Sequence, residues 1–306
     1  MPYNKLDLDL DELSKKLDAM AARQNQVRIS EKKKINPWIA ILFVAILAAC
    51  AFLFTYSAVY IIDYLVDSKK QEELYGGLAD IVNQNTIPSV PTSPTTPTEP
   101  TADAVPTEPP EPTEPVILPE YQAIYEMNND LVGWIRIPDT RINYPVMQSP
   151  EAPNYYLDHD FEGNRNPGGC IYARKQCDIF APCDNVVLYG HHMKNGSMFA
   201  GLNSYQSKRF WEAHQMFSFD TLYERHTYQV IAVFKTSGSG SYSFDYHSFN
   251  NADSPEDFDE FIAQVHKLQL YNTGLTAQYG DKLLTLSTCD YSLYDGRLVV
   301  VAKRIS

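Results

Sequence analysis

The chain has 306 residues and a formal charge of −13, a length that admits two domains. The charge is uneven: residues 1–36 carry net +2, 63–120 net −9 and 121–306 net −6. No segment clusters Lys and Arg as nucleic-acid binding requires, so no nucleic-acid partner is expected.

Residues 1–36 read as a cytoplasmic tail. Leu6, Leu8, Leu10, Leu13, Leu17 and Met20 predict a partly amphipathic helix over 6–20. Between Trp38 and Ile62 there is no charged residue. The stretch is apolar all round rather than striped, and about 20 residues suffice to cross a bilayer as a helix, so 37–62 reads as a transmembrane helix. Lys32, Lys33 and Lys34 precede it, and Asp63 and Asp67 follow. The positive-inside bias puts the N-terminus in the cytoplasm and the C-terminal bulk outside. Residues 63–85 read as a polar, helical juxtamembrane stalk. The segment 86–119 holds eleven of the chain's twenty prolines. It predicts an extended, polyproline-like linker, about 30 residues of which reach on the order of 90 Å.

Residues 120–306 form the predicted folded domain. A helix over 120–127 precedes strands over 131–137 and 141–146. Further strands are expected at 185–189, 227–235, 282–288 and 297–304. Helices are expected at 197–205, 208–214 and 255–268. The last has Ser254 as N-cap, Pro255 at its first position and an apolar stripe of Phe258, Phe261, Ile262, Val265 and Leu268. Many strands with few helices argue for an antiparallel barrel with peripheral helices rather than a βαβ sheet.

Five cysteines are present. Cys50 lies in the apolar span. Cys170, Cys177 and Cys183 cluster in the β-rich domain; Cys177 and Cys183 are spaced to close a small loop, and the spacings do not match common structural zinc sites. No other ligand set stands out, so no metal or cofactor is expected. Cys289 ends the stretch Leu284-Thr285-Leu286-Ser287-Thr288-Cys289-Asp290-Tyr291, with Arg297 eight residues on. A thiol close to a permanent cation favours the thiolate, the form that attacks carbonyls. The plain alternative is a buried core cysteine beside a surface arginine. Of seven histidines, His191 follows the strand-ending Tyr189-Gly190. It is well placed for site work, although spacing alone does not separate it from His192.

Together these motifs resemble those of sortases: Thr285-Leu286-Ser287-Thr288-Cys289, the downstream Arg297 and the upstream Gly190-His191. Ser287, Asp290-Tyr291 and the stretch Tyr189–Met193 with Gly196–Phe199 are similar to class B in particular. The resemblance covers roughly 120–306; Cys170, Cys177 and Cys183 lie outside its pattern. It implies a mostly β protein with a closed eight-stranded barrel and peripheral helices. It also implies a cysteine transpeptidase of the cell surface, with Cys289 as nucleophile, His191 as acid/base and Arg297 as electrostatic partner. Thr288, Ser287, Asp290 and Tyr291 are the weaker candidates for shaping the oxyanion site and substrate.

The implied partners are the sorting-signal peptide of secreted proteins, a peptidoglycan precursor or cross-bridge amine, and the membrane. The identity of the anchored proteins stays open. Three other readings compete: a membrane-tethered cysteine peptidase, a pilin-polymerising sortase and a wall-binding module with a dead site. No acidic lid motif marks the pilin-polymerising type, and the intact Cys289, His191 and Arg297 argue against a dead site.

Overall fold

A computed structural model describes residues 10–30, 36–86, 115–180, 183–238 and 243–306. The chain divides into two compact units, Met1–Tyr64 and Leu65–Ser306. The first contains α1 (Leu10–Ser30) and the first part of α2 (Pro37–Asn85). An 18-residue window of α2 has a mean hydropathy of 2.6 and is wholly exposed, so this helix is long and apolar enough to cross a membrane.

The second unit takes in the last turns of α2, so the stalk segment 63–85 is not separate from the folded domain. Gln71, Tyr75, Leu78 and Val82 are buried, an i, i+4, i+7, i+11 stripe that lies on one helical face. In the sequence the polar composition of 63–85 conceals this stripe. Most of the expected linker, residues 87–114, lies outside the described residues.

The rest of this unit is a closed barrel. Its strands are β1 (Leu131–Arg136), β2 (Asn143–Met147), β3 (Ile171–Ala173), β4 (Asn185–Tyr189), β5 (Met216–Thr221), β6 (Thr227–Ser237), β7 (Leu283–Asp290) and β8 (Gly296–Arg304). The order around the barrel is β1-β2-β3-β4-β7-β8-β6-β5, with β5 pairing back to β1. Six expected strands are present. The three-residue β3 is too short to show a period; β5 alternates, with Phe217, Phe219 and Thr221 buried between Ser218 and Asp220, and is an additional strand. Around the barrel lie α3 (Pro119–Met127), α4 (Lys208–Ala213) and α5 (Pro255–Leu268). The helix expected at 197–205 is a 3-10 helix over Phe199–Gln206, entered through Met198 in the left-handed region at φ 56°.

The period-2 alternation of the central strands sorts their side chains between two cores. Leu284, Leu286, Leu298 and Val300 point into the barrel. Leu283, Val299 and Val301 face outward, where α5 covers them with Phe258, Phe261, Ile262 and Val265. The Oγ of Ser254 accepts a bond from the Asp257 N–H at 3.2 Å and caps α5, as its sequence predicts. Strands buried on both faces read as near-continuous apolar runs, and Leu298–Ala302 does so.

Phe258 is fully buried between α5 and the sheet. Phe258→Ala is expected to cost about 3–5 kcal/mol through lost burial and the cavity left behind. Chemical denaturation of the variant against the parent chain measures it.

Candidate functional site

The outward face of β7 carries Thr285, Ser287 and Cys289, two residues apart along a strand whose side chains alternate. Strand β8 runs antiparallel to it with Cys289 directly opposite Arg297. Directly opposed residues share a face with Cβ atoms about 4.5–5.5 Å apart. The eight-residue spacing of the sequence is thus the length of a hairpin that returns to its own starting point. Thr285-to-Thr288 is strand, and β7 continues through Cys289 to Asp290.

On its other side β7 pairs with β4 in parallel, Tyr189 level with Ser287. The Gly190 N–H donates to the Ser287 carbonyl at 3.2 Å, and the Thr288 hydroxyl donates to the Gly190 carbonyl at 2.7 Å. Position 190 is crowded by two side chains, which a larger residue would have to displace. A Cβ there would lie 2.4 Å from Ile171 Cδ1 and 2.8 Å from the Phe199 ring. Extending the β4 register by two residues sets position 191 level with Cys289.

Both histidines after Gly190 touch backbone. His191 Nε2 lies 2.8 Å from the Leu157 carbonyl oxygen, and His192 Nδ1 lies 3.0 Å from the Cys289 carbonyl oxygen. A carbonyl only accepts, so each of these ring nitrogens carries a proton. His191 is left with Nδ1 as the basic nitrogen of its neutral ring. The Tyr291 hydroxyl donates to the His192 carbonyl at 2.8 Å, and the Tyr291 and His192 rings lie 5.1 Å apart. Tyr291 is otherwise exposed.

Arg297 donates from Nη1 to the carbonyls of Asp295 and Gly296 at 3.2 and 3.0 Å. It also meets the Asp295 carboxylate at 2.9 Å. Both side chains are about a third exposed, and such pairs contribute about 0–1 kcal/mol. A bound substrate can therefore redirect the guanidinium at little cost.

Asp290 turns the other way. Its carboxylate, 3% exposed, pairs with Lys235 Nζ at 2.8 Å and accepts from the Ser292 N–H and hydroxyl. Burial alone would raise this carboxyl, but the Lys235 and Ser292 hydrogen bonds outweigh it and hold it below the usual range. This ties the end of β7 to β6 behind Cys289.

Several site residues carry no motif in the sequence. The Ser287 and Tyr246 hydroxyls are 2.7 Å apart. Tyr189 stacks on Tyr172 at 5.5 Å, and the Arg174 guanidinium stands over Tyr189 at 4.8 Å. Burial raises the phenols of Tyr246, Tyr172 and Tyr189, so they remain hydroxyl donors at neutral pH. Arg174, Tyr189, Phe244, Tyr246, His247 and Arg297 line a cavity of about 150 Å³. Only the pairing of β3 with β4, and the return of the 243–252 segment over β7, bring these groups to Arg297. The remaining thiols differ in setting: Cys170 is buried against Tyr75, with Sγ and hydroxyl 3.1 Å apart. Cys177 Sγ and Cys183 Sγ lie 3.0 Å apart.

A closed β-barrel with a cysteine–arginine pair opposed on neighbouring strands defines a class, and comparison with known proteins agrees. The sortase-domain family model matches residues 135–305. Sortase B of Staphylococcus aureus (strain NCTC 8325 / PS 47) is 31% identical over 191 residues, 62% of this chain and 76% of that protein. Crystallised sortase B from Bacillus anthracis superposes with a TM-score of 0.62 at 28% identity, covering 79% of this chain and 99% of that one. A Staphylococcus aureus sortase B–substrate complex gives 0.63 at 25% identity, with 79% and 99% covered. The chain belongs to the sortase family, class B. It is a cysteine transpeptidase of the kind that anchors surface proteins.

Removing Lys235 leaves a buried carboxylate without its cation. Lys235→Met is expected to cost about 2 kcal/mol, less than a fully buried pair because Lys235 is partly exposed. Asp290 has a lowered folded pKa, so its contribution is complete above about pH 5 and is lost as pH falls below about 4. Denaturant titrations of both proteins from pH 3 to 7 should show the gap narrowing at the acid end.

Proposed function

We propose that this sortase is a single-pass membrane enzyme with its N-terminus in the cytoplasm and its catalytic unit outside. The apolar part of α2 is the anchor in this reading. The domain plan is a tail over 1–36, a span over 37–62, a linker over 86–119 and a catalytic domain over 120–306, and the helical segment 63–85 packs into the folded unit from residue 65 on. The enzyme cleaves the C-terminal sorting signal of secreted proteins and transfers the acyl part to a cell-wall amine. That amine belongs to a peptidoglycan precursor or cross-bridge.

The observation that carries the mechanism is the opposition of Cys289 and Arg297 across β7 and β8, with the His191 loop leaving the neighbouring β4. Cys289 sulfur attacks the carbonyl carbon before the scissile amide and forms a thioacyl intermediate. His191, as imidazolium, gives its Nδ1 proton to the departing amine and later accepts one from the incoming amine. The Nε2–H bond to Leu157 fixes the ring and leaves Nδ1 for this traffic. Arg297 leaves its weak pair with Asp295 and donates to the developing oxyanion or to the substrate backbone. Thr288 holds the end of β7 to Gly190. Ser287, with the Tyr246 hydroxyl, offers polar contacts on the substrate face. Asp290 acts from behind through Lys235, and Tyr291 braces the His192 carbonyl.

Two measurements test this. The full chain, given a sorting-signal peptide library with and without an amine acceptor, should yield the amide product by mass spectrometry. Hydrolysis alone in the presence of amine makes the enzyme a peptidase, and no cleavage of any peptide removes the enzymatic reading. In steady-state assays, Cys289→Ala should abolish turnover, and Arg297→Lys should lower kcat/KM at least tenfold, about 1.4 kcal/mol of transition-state stabilisation. His191→Ala should be far more damaging than His192→Ala, and Cys177→Ala should leave turnover largely intact. The reverse order for the histidines overturns the acid/base assignment.

A further inference from the structure

The last turns of α2 grip the loop that carries His191 from two directions. The first runs through Gly169. The Tyr75 hydroxyl donates to the Gly169 carbonyl at 2.7 Å, and Gln71 Nε2 donates to the same oxygen at 3.2 Å. Both side chains are almost fully buried. Gly169, at φ 52°, packs so closely on the 156–157 backbone that a Cβ would lie 2.4 Å from the Tyr156 carbonyl oxygen and 2.5 Å from that of Leu157. The Leu157 carbonyl is the acceptor of His191 Nε2. A contiguous path therefore leads from Tyr75 and Gln71 through Gly169 and Leu157 to the imidazole.

The second direction runs through the loop backbone. Asn195 Nδ2 donates to Ser68 Oγ at 2.5 Å. Arg141 bridges the two elements, bonding the Asn195 carbonyl at 3.0 Å and Glu72 at 2.7 Å. Gln71 Nε2 also reaches Met198 Sδ at 3.8 Å, and the Met198 N–H donates to the Tyr144 hydroxyl at 3.1 Å. Tyr75 packs edge-on against Tyr144, with ring centroids 5.5 Å apart. Met198 holds an uncommon backbone conformation, and Phe199 N–H donates to the His191 carbonyl at 2.9 Å. Both ends of the His191–Met198 loop are thus fixed to one helical face.

We propose that Ser68, Gln71 and Tyr75 are positioning residues for the transpeptidation. The membrane-proximal helix of this chain holds His191 in register with Cys289 and is part of the catalytic machinery, not a passive stalk. The proposal rests on His191 being the acid/base. It gives the buried Gln71 a purpose that packing alone does not: a buried polar side chain is kept where its hydrogen bonds fix one arrangement. Loosening the path displaces the imidazole without touching the cysteine or the substrate cavity. It therefore lowers kcat more than it raises KM.

The test uses the full chain in detergent micelles with a sorting-signal peptide. Tyr75→Phe removes one hydroxyl, Gln71→Leu removes both amide bonds at nearly constant volume, and Ser68→Ala acts at the partly exposed edge. Each is expected to lower kcat about three- to tenfold, with KM within twofold. The limb of the pH–rate profile nearest neutrality should shift, and alkylation of Cys289 by iodoacetamide should keep the parent rate. Parental kcat and an unmoved pH profile in these variants, whatever their melting temperatures, reduce the helix to an anchor and overturn the proposal. If Tyr75→Phe or Gln71→Leu does not fold, Ser68→Ala decides by the same two readouts. His191→Ala separates the two readings. Full turnover there removes the acid/base assignment. A His191-dependent enzyme indifferent to Ser68, Gln71 and Tyr75 removes only the positioning role.

Discussion

The pairing of β7 with both β4 and β8 is the constraint on which the rest of the site depends. Antiparallel register with β8 puts Arg297 opposite Cys289. Parallel register with β4 brings the Gly190 turn alongside Thr288. One strand therefore fixes Cys289 relative to Arg297 and to the Gly190 turn through backbone hydrogen bonds, while the His191 ring beyond that turn is held by the Leu157 carbonyl. A shift of one residue in either register would turn Cys289 towards the barrel interior. The buried Leu284 and Leu286 on the alternate positions oppose such a slip, since they would be driven out of the core.

The electrostatics are divided between the two faces of the same strand end. Behind it, Asp290 and Lys235 form a largely desolvated pair that holds β7 to β6. In front, Arg297 pairs with the Asp295 carboxylate, both side chains being about a third exposed, and donates to the Asp295 and Gly296 carbonyls. The buried pair serves the scaffold, and the exposed one contributes little to stability. Tyr189 and Tyr246 line the cavity beside Arg297, and burial keeps their phenols protonated. A groove with hydroxyl donors and aromatic faces suits an extended peptide with a backbone to bond and apolar side chains to cover.

Much of this was legible in the sequence because strong local rules wrote it there. The α5 cap and stripe, the six expected strands and the apolar span each follow from periodicity or turn chemistry within a short window. The cysteine, the arginine and the glycine–histidine step stood out because a thiol, a fixed cation and an imidazole occurred at the ends of alternating segments. The short β3 was not legible because three residues carry no period, whereas the alternation of Phe217, Phe219 and Thr221 in β5 was there to be read. Tyr172, Arg174, Tyr189 and Tyr246 look like ordinary strand and loop residues until the sheet is assembled. The stalk misled for a different reason. Its buried stripe of Gln71, Tyr75, Leu78 and Val82 includes a polar side chain, and composition alone cannot show which helical face meets a barrel.

The sequence by itself determined a membrane-length apolar helix, a β-rich domain and a thiol, an imidazole and a guanidinium each at the end of an alternating segment, because each of these features depends on residues near one another along the chain. Only the tertiary structure decided that Cys289 faces Arg297, that His191 and His192 bond different carbonyls, and that the segment 65–85 belongs to the folded unit. These depend on strand register and on contacts between residues separated by tens to more than a hundred positions. Such contacts exist only once the barrel has closed and the helix has found its groove.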